Sequence, residues 1–534
     1  MLRRGASAPY RAVEVIAGEP HVLRDELAPA DLAARTAGAR PLLCLIHVTD
    51  LQLADVQSPT RFEFLNRYFA DPRYAGVVPV QRPQEALTPH AVDATLRTVN
   101  ALRGPATGQP PALAVTTGDA IDNAQWNEVQ AFLALFDGGH VRPDSGGPGY
   151  AGVQALDWPD DIFWRPDGAG PDGPDFFRRE LGFPHHPGLL DAALREFTAG
   201  GVDMPWLSCF GNHEALNQGV GTQTPGLVAA LTGDRKPMRL PGGFDSDEAL
   251  ELFTVRPEAF MAGPSRRVPA DPGRRAVTRG EFVAAHFRRG ARPLGHGFTD
   301  ENLRNGTAYY VHDTPAARFI ALDTNCLAGG ADGCLDRQQA RWLEDRLAEV
   351  HSAYRGPAGQ EIRTGQDDRL VILFSHHGVD TLDNTRGWHP GPGGEPLIGA
   401  AELVALLHRF PNVVLWLNGH THTNAIRARR DPDQPGRGFW EVTTCAVVDW
   451  PCQTRVVELL DHGEYLSIVT TMVDHDTPTA PSVTLATPDD LAALHRELAA
   501  NVPWDVSVMA GNAADRNVEL RLAPPFPLKR LPGA

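Results

Sequence analysis

The sequence predicts an α/β layered domain, and three observations carry that expectation. Short runs rich in Val, Ile and Leu recur along the chain, each ends abruptly in polar residues, and segments with helical periodicity lie between them. Near-continuous apolar runs bounded by turn residues suit strands buried on both faces of a sheet. Strands alternating with helices imply stacked layers, and ligands in such sheets collect at the carboxyl ends of the strands.

The runs, in order, are PLLCLIHVTD (41–50), PALAVTTGD (111–119), MPWLSCFGNHE (204–214), ARFIALDT (317–324), DRLVILFSHH (368–377) and NVVLWLNGHTH (412–422). Helical patterns occupy LTPHAVDATLRTVNAL (87–102), LDRQQARWLEDRLAEV (335–350) and AAELVALLHRF (400–410). In the second of these, Asp336 and Gln339 are spaced as a capping box, with Leu343, Leu347 and Val350 on one stripe. After GFWEVTTCAVVDWP (438–451), the segments TRVVELL and EYLSIVTTMV alternate like a strand pair closing a second sheet. The tail carries one helix, with Thr487 as N-cap, Pro488 at N1 and Leu491, Leu494 and Leu498 as its apolar face.

Residues 137–203 and 217–306 break this rhythm with Gly, Pro, Asp and Trp in the first and many Arg in the second. Stretches this long inside a compact domain are usually functional lids or small subdomains. They read as insertions shaping the mouth of a site, and the arginines of the second read as solvated surface. The organisation is therefore an N-terminal arm (1–40), a main domain (41–476) with the two insertions, and a C-terminal appendage (477–534).

Composition narrows the function. With 42% hydrophobic and 22% charged residues the 534-residue chain is an ordinary globular one. A formal charge of -17 argues against binding nucleic-acid backbones or anionic membranes, both of which select surplus Lys and Arg. It leaves room for a small phosphorylated substrate whose charge is met by metal ions. Six cysteines make no disulfide framework and no C-x-x-C zinc motif; their redox state stays open, as does the oligomeric state. No run of 18 apolar residues exists, so no membrane span is expected. Arg3 and Arg4 lack the apolar stretch an export signal needs. As written the chain reads as cytoplasmic, with a signal lost to a misplaced start codon left open.

The strand-end polar groups are the chemistry. Asp50, Gly118-Asp119, Gly211-Asn212-His213-Glu214, Ser375-His376-His377 and Gly419-His420-Thr421-His422 each follow an apolar run. They offer carboxylate, amide and imidazole, oxygen and nitrogen donors suited to borderline divalent metals. One Asp ending a strand is an ordinary turn residue; five such signals in order are a constellation.

GDAID (118–122), GNHE (211–214), FSHH (374–377) and GHTH (419–422) match in order the pattern of the calcineurin-like metallophosphoesterase superfamily, which the sequence resembles over roughly residues 41–470. Its cast, including DLQLADVQSP and DWPCQTR, is similar to an actinobacterial subgroup with long insertions. The resemblance implies a four-layer α/β/β/α sandwich and two divalent metal ions, of Mn, Fe, Zn or similar identity. It implies Asp119 bridging both, Asp50 and His422 at the first, and Asn212, His376 and His420 at the second. A metal-bridging hydroxide would attack phosphorus in a phosphomonoester or phosphodiester. His213 would act at the leaving oxygen, oriented by Glu214 or by Asp122, with Glu214 equally readable as a surface carboxylate. His377 is a further metal or outer-sphere candidate.

One departure stands out. Where the family usually has a second ligand to the first metal, this chain has Gln52, whose amide oxygen is a weaker donor than imidazole. His47 lies nearby, but strand alternation turns it to the opposite face and makes it structural. The alternative is therefore a degenerate binding protein of the same fold with an impaired first metal site. A zinc peptidase lacks its H-E-x-x-H.

Overall fold

The computed structural model describes residues 1–6, 8–29, 38–147, 149–243, 246–386, 397–482 and 484–528. Residues 30–37 of the expected arm and 529–534 of the expected appendage lie outside them. The chain is a mixed α/β structure organised by two sheets. The first has seven strands in the order Val22–Leu27, Val518–Leu522, Leu466–Asp474, Gln453–Asp461, Arg40–Val48, Leu113–Thr116 and Trp206–Leu207. Its last three run parallel, so the residues following them emerge on the same side. The second has six strands in the order Tyr310–Asp313, Ala317–Ala321, Leu370–Phe374, Val413–Asn418, Gly438–Thr443 and Ala425–Arg430. Its four middle strands are also parallel.

Period-two alternation explains how the second sheet is held. Phe319, Ala321, Ile372, Phe374, Leu415 and Leu417 join the large core that also contains Leu45, Val115 and Val456 of the first sheet. The intervening Ile320, Val371, Leu373 and Trp416 pack instead with Leu343 and Leu347 of helix Arg337–Ala348 and Leu403 and Leu407 of helix Ala400–His408. Both faces are thus covered, which is why these runs are apolar without interruption. Each fully buried Leu contributes about 1.5–3 kcal/mol. Val92, Leu96 and Val99 of helix Thr88–Ala101, and Val129, Phe132 and Phe136 of helix Trp126–Asp137, belong to the larger core.

Several expectations change. The hairpin after residue 451 extends the first sheet instead of closing the second: Gln453–Asp461 pairs antiparallel with Arg40–Val48, Arg455 opposite His47. Alternation shows that a segment is a strand but not which edge it joins. The arm and the tail likewise deliver Val22–Leu27 and Val518–Leu522 to that sheet, mutually parallel. The capping box is half made, since Asp336 accepts from the Gln339 backbone while the Gln339 side chain bonds Asp323. The second insertion is not all solvated arginine. Arg274 is buried against Asp55 at 2.8 Å, and Lys236 is buried against Glu63 at 2.6 Å. All six cysteines are buried and unpaired.

Candidate metal centre

Parallel strands of both sheets end at one place. Arg40–Val48 leads to Asp50 and Gln52, Leu113–Thr116 to Asp119, Trp206–Leu207 to Asn212 and His213, Leu370–Phe374 to His376, and Val413–Asn418 to His420 and His422. Donor atoms of Asp50, Asp119 and His376 lie within 4.8 Å of one another, as do those of His376, His377 and His420. Asp119 Oδ2 is 3.1 Å from His376 Nε2 and 3.8 Å from His213 Nε2. Asp50 Oδ1 is 3.3 Å from His422 Nε2, and His376 Nε2 is 3.2 Å from His420 Nδ1.

The backbone there is held against its preference. Asp50, Gln52, Asp119, His420 and His422 all have positive φ, from 44° to 69°. Left-handed conformations of non-glycine residues persist only where surrounding structure over-determines them, and they concentrate at functional sites. The neighbouring glycines serve close approach. A Cβ on Gly211 would collide with Asp119, and one on Gly419 with the Asp50 carboxylate.

The imidazoles are set by the hydrogen bond each makes at Nδ1. His376 donates to the Thr117 carbonyl at 2.7 Å, His213 to the Asp122 carbonyl at 2.8 Å, and His422 to Asp449 at 2.6 Å. Each bond fixes the ring and leaves Nε2 facing the cluster, the arrangement that orients metal-binding histidines. His377 differs: Nδ1 meets Thr324 Oγ1 and Nε2 meets the Ala331 carbonyl, both at 2.8 Å, so neither nitrogen is free to bind a cation although the ring lies close by. His47 is fully buried between Thr117 and Thr444, and burial holds it down to about 3.

Oxygens complete the cluster. Asp50 Oδ2 accepts from Thr49 and from the His420 backbone, leaving Oδ1 buried without a hydrogen-bond partner. Asn212 donates its Nδ2 to the Gly219 carbonyl, leaving Oδ1 buried and unpartnered. Gln52 turns toward the same place: its Nε2 is 3.2 Å from His213 and 3.4 Å from His422, and its Oε1 is buried and unpartnered. An unpaired buried oxygen costs about 1–3 kcal/mol. These oxygens of Asp50, Asn212 and Gln52, the Asp119 carboxylate and the nearby imidazole nitrogens are the kind of donors a divalent cation takes, so the residues fit the metals that the sequence implies. Although burial opposes it, Asp119 pushes His376 up to about 9 and Asp50 pushes His422 up to about 9, so the carboxylates favour positive charge in this corner.

Glu214 is no surface residue. It is fully buried and accepts from four backbone N–H groups, those of Asp119, Ala120, Ile121 and Gly211, at 2.6–3.1 Å. It clamps the turn that carries Asp119 and does not orient His213. Asp122 stands beside His213, its carboxylate 3.5 Å from Nδ1 and bonded to the buried Arg61 at 2.8 Å. Sequence reasoning missed Asp449, which joins His422 to Arg82 through a two-pronged bond of 2.8 and 2.9 Å. Its signal was available, since CAVVD ends an apolar run as the other site segments do. Arg61 and Arg82 gave none.

Of these groups Gln52, Arg82, Asp119, Asp122, Asn212, His213, His420, His422 and Asp449 line a cleft of about 320 Å³. A larger hollow of about 950 Å³ lies elsewhere, beside His90, His186 and Leu491, so the cleft is distinguished by chemistry and not by size.

No family model matches the sequence, and no curated protein matches it. Among solved structures the chain is similar to the crystal structure of a dimetal phosphatase from Danio rerio, with a TM-score of 0.35 and 11% identity over 82% of this chain and 100% of that one.

Proposed function

We propose that the protein is a metal-dependent phosphoric-ester hydrolase of the calcineurin-like metallophosphoesterase type, its two sheets and flanking helices forming the α/β/β/α sandwich of that family. The observation that carries this reading is the gathering of donor atoms of Asp50, Asp119 and His376 within 4.8 Å of one another, with His422 Nε2 3.3 Å from Asp50 and buried, unpartnered oxygens on Asp50 and Asn212. Asp50, Asp119 and His422 would hold one divalent ion, with Gln52 beside them; Asp119, Asn212, His376 and His420 would hold a second. When bound, such ions acidify a water molecule and neutralise phosphoryl oxygens.

The chain's own residues supply the rest. Although burial opposes it, Asp119 and Asp122 raise His213 above its ordinary value, and Nδ1 stays bonded to the Asp122 carbonyl. His213 is the group placed to give a proton to a leaving oxygen or to stabilise its charge. Glu214 keeps Asp119 in register, and Asp449 with Arg82 keeps His422 in orientation.

The test is hydrolysis of aryl phosphate esters by Mn-reconstituted protein, with Asp119→Asn as control. Activity that disappears in the variant supports the proposal. Metal-loaded protein inert toward monoesters, diesters, cyclic nucleotides and glycerophosphodiesters alike overturns it. The second reading, a binding protein with an impaired first metal site, is favoured by one observation, the neutral Gln52 where the family has a stronger donor; it predicts protein that binds one ion or none.

A further inference from the structure

We infer that the substrate is a phosphodiester, a monoanion, in preference to the dianionic phosphomonoester. The inference rests on the phosphoester reading above. The charge of the cleft lining carries it. Asp119, Asp122, Asp332 and Asp449 line it, with Arg82 the one guanidinium or ammonium among the described lining residues; Asp119 would be spent on the metal ions, Asp122 is held by Arg61 and Asp449 by Arg82, which leaves Asp332 as the carboxylate without a cationic side chain of its own. Arg82 is not available as a phosphate clamp. Nε and Nη2, the edge that would grip two phosphate oxygens, grip the two oxygens of Asp449, and its side chain is 7% exposed.

Asp332 sharpens the discrimination. It is half exposed and lines the cleft, and its Oδ1 lies 3.7 Å from His420 Nε2, the ring nitrogen on the far side from His376. Beyond the metal ions themselves, a second negative charge on a phosphoryl group would meet this carboxylate and no free cationic side chain among the described lining residues, and like charges brought together in a cleft are disfavoured. The lining also has an apolar part, from Val77, Val78, Pro79, Val220 and Met509. It suits the uncharged second ester substituent that a diester has and a monoester lacks.

The experiment compares a p-nitrophenyl phosphate monoester with methyl p-nitrophenyl phosphate, a diester with the same leaving group, on full-length Mn-reconstituted protein. The diester is expected to have the higher kcat/KM by about tenfold or more. In Asp332→Asn the monoester-to-diester ratio is expected to rise about threefold or more, because one repelling charge has gone. A wild-type preference for the monoester overturns the inference and leaves the hydrolase reading standing. An unchanged ratio in Asp332→Asn overturns the part assigned to Asp332. Metal-loaded protein that hydrolyses neither ester, nor any cyclic nucleotide or glycerophosphodiester, overturns the hydrolase reading and this inference with it.

Discussion

Replacing Glu214 with glutamine tests how the centre is held together. Each carboxylate oxygen serves two donors: Oε2 accepts from Asp119 and Gly211 at 2.9 and 2.6 Å, and Oε1 from Ala120 and Ile121 at 2.7 and 3.1 Å. Glutamine keeps one oxygen and presents an NH2 to the other pair of N–H groups. Two buried donors are then unpaired at about 1–3 kcal/mol each, so Glu214→Gln is expected to lose about 2–6 kcal/mol of stability. Chemical denaturation of both proteins in chelator measures that loss directly. Because the loosened turn carries Asp119, the rise in melting temperature on adding Mn is expected to shrink as well. Burial beside Asp119 pushes the Glu214 carboxyl up to about 7, and the Ile121 and Gly211 N–H groups oppose this. A variant within about 0.5 kcal/mol of wild type would show that the ionised carboxylate is not what holds the turn.

Gln52→His supplies an imidazole beside His422 and is expected to tighten metal binding roughly tenfold in chelator competition; unchanged affinity would mean that residue 52 does not reach the metal. Asp449→Asn weakens the bond that orients His422 and is expected to loosen metal binding about 10–100-fold, so affinity at the wild-type level refutes the relay from Arg82. His351 is neutral by construction, donating from Nδ1 to the Leu347 carbonyl at 2.6 Å and accepting at Nε2 from the Asn412 N–H at 3.0 Å, and burial holds it down to about 4. The unfolded chain therefore binds the proton first, and this contribution to stability is lost as pH falls from about 6.5 toward 4. Roughly 2 kcal/mol should disappear between pH 7 and 5, and that part of the slope should vanish in His351→Gln; an equal slope in both proteins contradicts it.

Much of the centre was legible because its parts sit where apolar runs stop. Asp50, Asp119, Asn212, His376, His420 and His422 follow strands whose composition announces burial, and the parallel order of those strands brings their ends together. What stayed hidden is long-range. The partners of Arg82–Asp449 are 367 residues apart and those of Arg61–Asp122 are 61 apart, and a buried arginine leaves no periodic mark before its partner is known. The role of Glu214 escaped for a related reason, since its partners are backbone N–H groups that every residue has. Sheet membership was lost the same way: Val22–Leu27 reads VLRDEL, half of it charged, because it lies at the sheet edge with only alternate side chains inward.

The central claim is that this corner of the fold binds two divalent cations, and counting them tests it most directly. Elemental analysis of Mn-reconstituted, desalted protein should find about two ions per chain, falling sharply in Asp119→Asn because the shared carboxylate is lost. Protein that carries none after saturation with Mn, Fe and Zn in turn would contradict the account.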